Sequence, residues 1–78
     1  MNIEIYSKDN CKYCDMAIDK AINNYGADVE VFKLGKDFNK EELLKKFPGA
    51  KTFPQIKING ISIGGWDQFK HTRRWFDE

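Results

Sequence analysis

Tyr6-Ser7-Lys8-Asp9-Asn10-Cys11-Lys12-Tyr13-Cys14 joins a strand-like run, in which Ile3 and Ile5 alternate, to a run with helical spacing. It holds the chain's only two cysteines, three positions apart. A thiol pair at that spacing can close into a disulfide. The first sulfur stands at the start of the predicted helix. Unsatisfied backbone N–H groups and the helix dipole favour a thiolate there. Lys8 and Lys12 add positive charge nearby, and Asp9 and Asp15 oppose it. The balance makes Cys11 the expected nucleophile. Cys14, one helical turn on, is expected to be the better buried thiol.

The rest of the chain surrounds this junction with closely spaced elements and no linker, repeat or low-complexity segment. Residues 2–6 read as a strand, and residues 12–24 as an amphipathic helix carrying Ile18, Ala21, Ile22 and Tyr25, ended near Gly26. Residues 28–34 place Val29, Val31, Phe32 and Leu34 on both faces, as a central parallel strand would. Asn39 and Glu42 predict a capping box for a second helix, with Phe38 stapled to Leu43. Leu43, Leu44 and Phe47 form its apolar face, and Pro48-Gly49 stop it.

Asn59-Gly60, between Ile56/Ile58 and Ile61/Ile63, predicts a hairpin with a type I′ turn. A two-residue loop sets Ile58 opposite Ile61 and Ile56 opposite Ile63, all four on one face. Asp67 is then the expected cap of a last helix that turns Phe69 and Phe76 inward. The order is β-α-β-α-β-β-α, an α/β arrangement with a small mixed four-stranded sheet flanked by three helices. The first βαβ unit should be parallel and right-handed.

With 78 residues, one domain spanning 1–78 is expected. Hydrophobic content of 41% and charged content of 32% fit a globular chain rather than a disordered one. The net charge of +1 comes from interleaved acids and bases, which argues against a nucleic-acid-binding arm. No apolar stretch approaches membrane-spanning length, and Met1-Asn2-Ile3-Glu4 lacks the regions of a secretory signal. A cytoplasmic protein is the expectation, and there two cysteines are reactive more often than structural. Structural zinc would need four ligands, and beside the cysteines the chain offers only one histidine, His71. Lys40, Lys45, Lys46 and Lys51 read as solvated faces, His71 as a surface residue, and Trp75 and Phe76 as packing residues.

Order and motif together resemble the glutaredoxins, of the thioredoxin-like superfamily. Three separated motifs carry the resemblance over essentially the whole chain: Tyr6 to Cys14, close to Y-S-K-x-x-C-x-Y-C; Thr52-Phe53-Pro54, matching T-V-P; and Gly64-Gly65-Trp66-Asp67, matching G-G-x-[DS]. The resemblance implies Cys11 as nucleophile, Cys14 as resolving thiol and a redox-active disulfide between them. It also implies a glutathione groove made by Lys8, Tyr13, Thr52, Phe53, Pro54, Gly65, Trp66 and Asp67.

In that groove Lys8 would meet the glycyl carboxylate. Phe53 would offer backbone N–H and C=O to the cysteinyl part, as a short added strand. Gly64-Gly65 would let backbone approach the ligand. The helix start at Trp66-Asp67 would take the γ-glutamyl carboxylate, with Asp67 facing the α-ammonium. Unaided, the sequence favours a trans Phe53–Pro54 bond, because cis occurs in about 5–6% of X–Pro bonds; the resemblance implies cis. Phe53 stands where the family usually has valine, Lys12 where its dithiol centre has proline, and Glu41-Glu42 near where it often has a basic or polar residue.

The function so implied is glutathione-dependent reduction of protein disulfides and glutathione mixed disulfides. Glutathione is the co-substrate, and no metal is expected. The expected partners are disulfide or glutathionylated proteins, ribonucleotide reductase among the family's common targets. The protein is expected to be a monomer, without nucleic acid or membrane. Two alternatives stand beside it: a dimeric module holding a [2Fe–2S] cluster through Cys11 and glutathione, and a redoxin reduced by thioredoxin reductase. The second cysteine opposes the first, and the glutathione-groove residues oppose the second.

Overall fold

Ile3 and Ile5 are wholly buried, on a strand paired on both sides. The computed structural model describes residues 2–25 and 28–71. Its elements are β1 (Asn2–Ser7), α1 (Lys12–Tyr25), β2 (Asp28–Lys33), α2 (Lys40–Lys46), β3 (Gln55–Ile58), β4 (Ile61–Gly64) and α3 (Trp66–Phe69). Strand order is β2-β1-β3-β4, with β1 parallel to β2 and antiparallel to β3, and β3 antiparallel to β4. The expected element order and mixed sheet are therefore present.

Alternation along the strands divides the core in two. On one face Ile3, Ile5, Ile56 and Ile58 pack with Ala17 and Ala21 of α1 and Phe69 of α3. On the other, Tyr6 packs with Phe38, Leu43 and Phe47, the last two from α2 and its C-cap. Tyr6 lies 4.9 Å from the Phe32 ring and 5.1 Å from the Phe47 ring, centroid to centroid. Each fully buried isoleucine contributes about 1.5–3 kcal/mol relative to exposure.

The second helix begins as its sequence predicts. Glu42 N–H donates to Asn39 Oδ1 at 2.9 Å, and Asn39 N–H donates to Glu42 Oε1 at 3.1 Å. Phe38 and Leu43 lie in one cluster, as the staple requires.

Five expectations change. Strand β2 is an edge rather than a central strand, because β3 takes the other side of β1; Val31 is left exposed. On α1 the buried stripe is Cys14, Ala17 and Ala21 with Ile18 beside it, and Ile22 is 55% exposed. Including Cys14 rotates the stripe, so Ile22 falls outside it. On α2 only Leu43 is buried, and Leu44 is 47% exposed. In the hairpin, Asn59 and Gly60 have the positive φ of a type I′ turn and Ile58 faces Ile61. Past Lys57↔Ser62, however, the register shifts and Ile56 faces Gly64 instead of Ile63. The extra β4 residue is a bulge that bends the strand end; Ile61 is exposed while Ile63 packs on the core. Finally, Gly65 rather than Asp67 caps α3, and Asp67 lies in its first turn. Gly26, the Tyr25 side chain, Trp75 and Phe76 lie outside what is described.

Candidate active site

The loop leaving β1 turns at Asn10, in the left-handed region at φ 54°, and delivers Cys11 to the start of α1. Asp15 N–H donates to the Cys11 carbonyl at 3.2 Å, the first bond of the helix. Cys14 N–H donates to Cys11 Sγ at 3.3 Å. The sulfur thus takes the place that a serine or aspartate oxygen takes at an N-cap, accepting from the third helical residue. An acceptor there gains from being anionic. Cys11 is half-buried and Cys14 is 1% exposed, and both are free thiols. Burial, reinforced by hydrogen bonding to Cys11 and opposed by the Lys8 backbone N–H, pushes the Cys14 thiol up to about 12. The two cysteines therefore differ: one is reachable, the other buried and held protonated.

Beside them runs a groove of about 280 Å³. Tyr13, Thr52, Phe53, Gly65, Trp66 and Asp67 all line it, six of the eight residues assigned to it from the sequence. Lys8 is exposed at its margin, with Nζ 5.6 Å from the Phe53 ring centroid. Pro54 is buried behind Phe53, and the bond between them is cis, against the expectation from base rates and with that from the resemblance. The Tyr13 and Trp66 rings are nearly parallel, 6.4 Å apart.

The glycine pair has a reason inside the fold as well. A Cβ on Gly65 would come within 3.1 Å of the Pro54 carbonyl oxygen, so only glycine lets α3 approach the proline loop so closely. Gly64, at φ 102°, has the Gln68 side chain against it.

Two residues of this site escaped the sequence reading. Gln68 Oε1 accepts from Gly65 N–H at 2.9 Å and its side chain also lines the groove. Gln55 Nε2 donates to the Thr52 carbonyl at 2.8 Å, closing the turn that presents Phe53. A glutamine three residues after a glycine was the available signal for the first. The Asp67 carboxylate is exposed and pairs with Lys70 at 3.3 Å. Among the described residues no group of three or more His, Cys, Asp or Glu side chains is placed to hold a metal ion.

The glutaredoxin family model matches residues 3–63, spanning both cysteines and the proline turn. The chain belongs to the glutaredoxin family. It is 37% identical over 67 residues to mitochondrial glutaredoxin-2 of Rattus norvegicus, covering 81% of this chain and 41% of the relative. The chain thus spans about two fifths of that relative's length. It is also 37% identical over 67 residues to glutaredoxin 3 of Escherichia coli strain K12, covering 85% of this chain and 78% of that protein.

Among solved structures, glutaredoxin 1 of Francisella tularensis shares the fold at a TM-score of 0.75 and 21% identity, over 95% of this chain and 93% of that one. A buckwheat glutaredoxin–glutathione complex matches at 0.64 and 27%, over 92% of this chain and 67% of that one. The fold is thioredoxin-like, and glutaredoxins as a family are thiol–disulfide oxidoreductases.

Proposed function

We propose that this glutaredoxin is a glutathione-dependent dithiol oxidoreductase acting on protein disulfides and glutathione mixed disulfides. One observation carries the reading: Cys11 Sγ, capped by Cys14 N–H at 3.3 Å, stands at the helix start beside the groove of Tyr13, Phe53 and Trp66. The buckwheat relative in complex with glutathione supports that ligand. The Gln55–Thr52 bond closes the turn that presents Phe53, whose backbone would offer the cysteinyl part a short added strand. Lys8 would attract the glycyl carboxylate. Trp66 and Asp67, in the first turn of α3 with no helical carbonyl preceding them, would take the γ-glutamyl end.

On a glutathionylated target, Cys11 thiolate attacks the glutathione sulfur. The target sulfur leaves with the bonding pair and takes a proton. A second glutathione thiolate then attacks the Cys11–glutathione bond, releasing glutathione disulfide and restoring Cys11. On a protein disulfide, Cys11 bonds one target sulfur and expels the other. Cys14 loses its proton and attacks Cys11 Sγ, releasing the second target thiolate and forming the Cys11–Cys14 disulfide. Two electrons have passed to the target, and two glutathiones return them. The protein contributes thiolate, alignment and proximity.

The test is glutathione-coupled turnover of a glutathione mixed disulfide by wild type, Cys11→Ser and Cys14→Ser. Wild type and Cys14→Ser should turn over and Cys11→Ser should not. An inactive wild type refutes the glutathione reading.

A further inference from the structure

Strand β2 has β1 on one side only. Leu34 N–H donates to the Ser7 carbonyl at 2.9 Å, so Leu34 and the alternate residues before it, Phe32 and Glu30, turn their backbone groups toward β1. Val29, Val31 and Lys33 turn theirs to the outer edge. Lys33 is closed off locally: its N–H donates to Asp37 Oδ2 at 2.9 Å, and its carbonyl accepts from the Lys36 and Asp37 N–H groups. Among the described residues Val29 and Val31 have no such partner, so their N–H and C=O groups stand open at the edge.

Side chains along this edge are sorted by face. Helix α1 packs on β1 and β2, and α3 on β3 and β4. Tyr13 stacks on Trp66 of α3, and Ile22 lies about half a turn around α1 from Tyr13, on the β2 side. Val31 shares the sheet face of Ile5, which α1 covers, yet Val31 and Ile22 are both exposed. On the opposite face Asp28 and Glu30 are exposed, and among the described residues neither carboxylate has a cationic partner. Glu30 takes only a 3.4 Å bond from Asn2 Nδ2, and Lys33 is engaged by Asp9.

We propose that this edge takes an extended segment of another protein as an added strand, and that the segment alternates basic and apolar residues. Its backbone pairs with Val29 and Val31. Its apolar side chains cover Val31 and Ile22, and its cations stand across from Asp28 and Glu30. A second copy of this chain does not fit. Antiparallel pairing of two β2 edges sets Glu30 against Glu30, or against Asp28 one step along, and like charges directly opposite are destabilising. A step the other way needs the Lys33 N–H, which Asp37 holds. The carboxylates thus guard the edge against self-pairing and select a cationic partner. None of these residues lines the groove beside the cysteines, so the surface does not depend on what that groove binds.

The test uses the reduced full chain and three short peptides with blocked ends. One alternates Lys and Val, the second alternates Glu and Val, and the third is the Lys peptide N-methylated at its valines, which keeps the charge and removes the pairing N–H groups. The readouts are amide chemical shifts and hydrogen exchange along β2, by nuclear magnetic resonance. Glutathione-coupled turnover reports on the integrity of each variant.

The Lys peptide should shift the amides of residues 28–33 and slow exchange at Val29 and Val31, more strongly at low salt. The Glu peptide and the N-methylated peptide should do neither. Glu30→Lys, at an exposed position, should weaken the Lys peptide about fivefold and leave turnover unchanged. Unchanged β2 amides with the Lys peptide overturn the proposal. So does an N-methylated or Glu peptide that acts as well, or a Glu30→Lys variant that keeps the affinity. Exchange at Val29 and Val31 that slows with protein concentration alone also overturns it, because a second copy then occupies the edge.

Discussion

At the scale of single residues, the site works by making two chemically equal thiols unequal. Cys11 caps the helix and is reachable, while Cys14 is enclosed and keeps its proton. Alkylation of the reduced native protein with iodoacetamide near neutral pH should therefore give one adduct, on Cys11, with Cys14 labelled only after unfolding. Peptide mapping that finds both cysteines modified at similar rates would contradict this asymmetry. Gly65→Ala makes a second residue-scale test. Its methyl would crowd the Pro54 carbonyl, and overpacking of this kind costs about 1–3 kcal/mol. Denaturant melts should show that loss, together with weakened turnover, because the same contact sets one wall of the groove.

At the scale of elements, what was legible followed from local physics. Asn39 and Glu42 announce a helix start because cap geometry needs only those side chains and the adjacent backbone. Asn59-Gly60 announces a turn because few residue pairs accept positive φ twice. The bulge near Ile56 was not legible: alternation among four isoleucines fits the unbroken register equally well, and the shift accompanies a close approach of Gly64 to the Gln68 side chain of α3. The exposure of Ile22 and the edge position of β2 likewise depend on what packs alongside, which spacing does not encode. For the site, the three motifs placed six groove residues. Gln55 and Gln68 were missed because each bonds a backbone group three residues before it, a local pattern that none of the three motifs contains. Asn39→Ala should lower stability by about 1 kcal/mol through loss of the cap, and leave the glutathione-coupled rate essentially unchanged. A large rate loss in that variant would tie α2 to the chemistry more tightly than its contacts indicate.

At the scale of the molecule, 78 residues and a stability of roughly 0.05–0.15 kcal/mol per residue leave about 4–12 kcal/mol in all. Ile5→Ala in the buried central strand, costing about 2–5 kcal/mol, should consume a large share of that and appear as a much lower midpoint in urea. Alkaline pH bears on the whole fold through Tyr6 and Cys14. Burial and the Glu4 hydrogen bond raise Tyr6 from its ordinary 10.0 to about 12, and burial raises Cys14 from 9.0 to about 12. Both groups hold their protons in the folded state after the unfolded chain has lost them. Their contribution is fully present below pH 9 and declines between about 9 and 12. Urea melts across that range should show stability falling with pH, more gently in Tyr6→Phe.

The central claim, that Cys11 is the nucleophile of a glutathione groove, is tested most directly by trapping its intermediate. Cys14→Ser, treated with glutathione disulfide, should gain one glutathione on Cys11. Backbone amide shifts on forming that adduct should change chiefly at Thr52, Phe53, Gly65, Trp66 and Asp67. No adduct, or an adduct whose shifts change elsewhere and leave those residues untouched, would contradict the account.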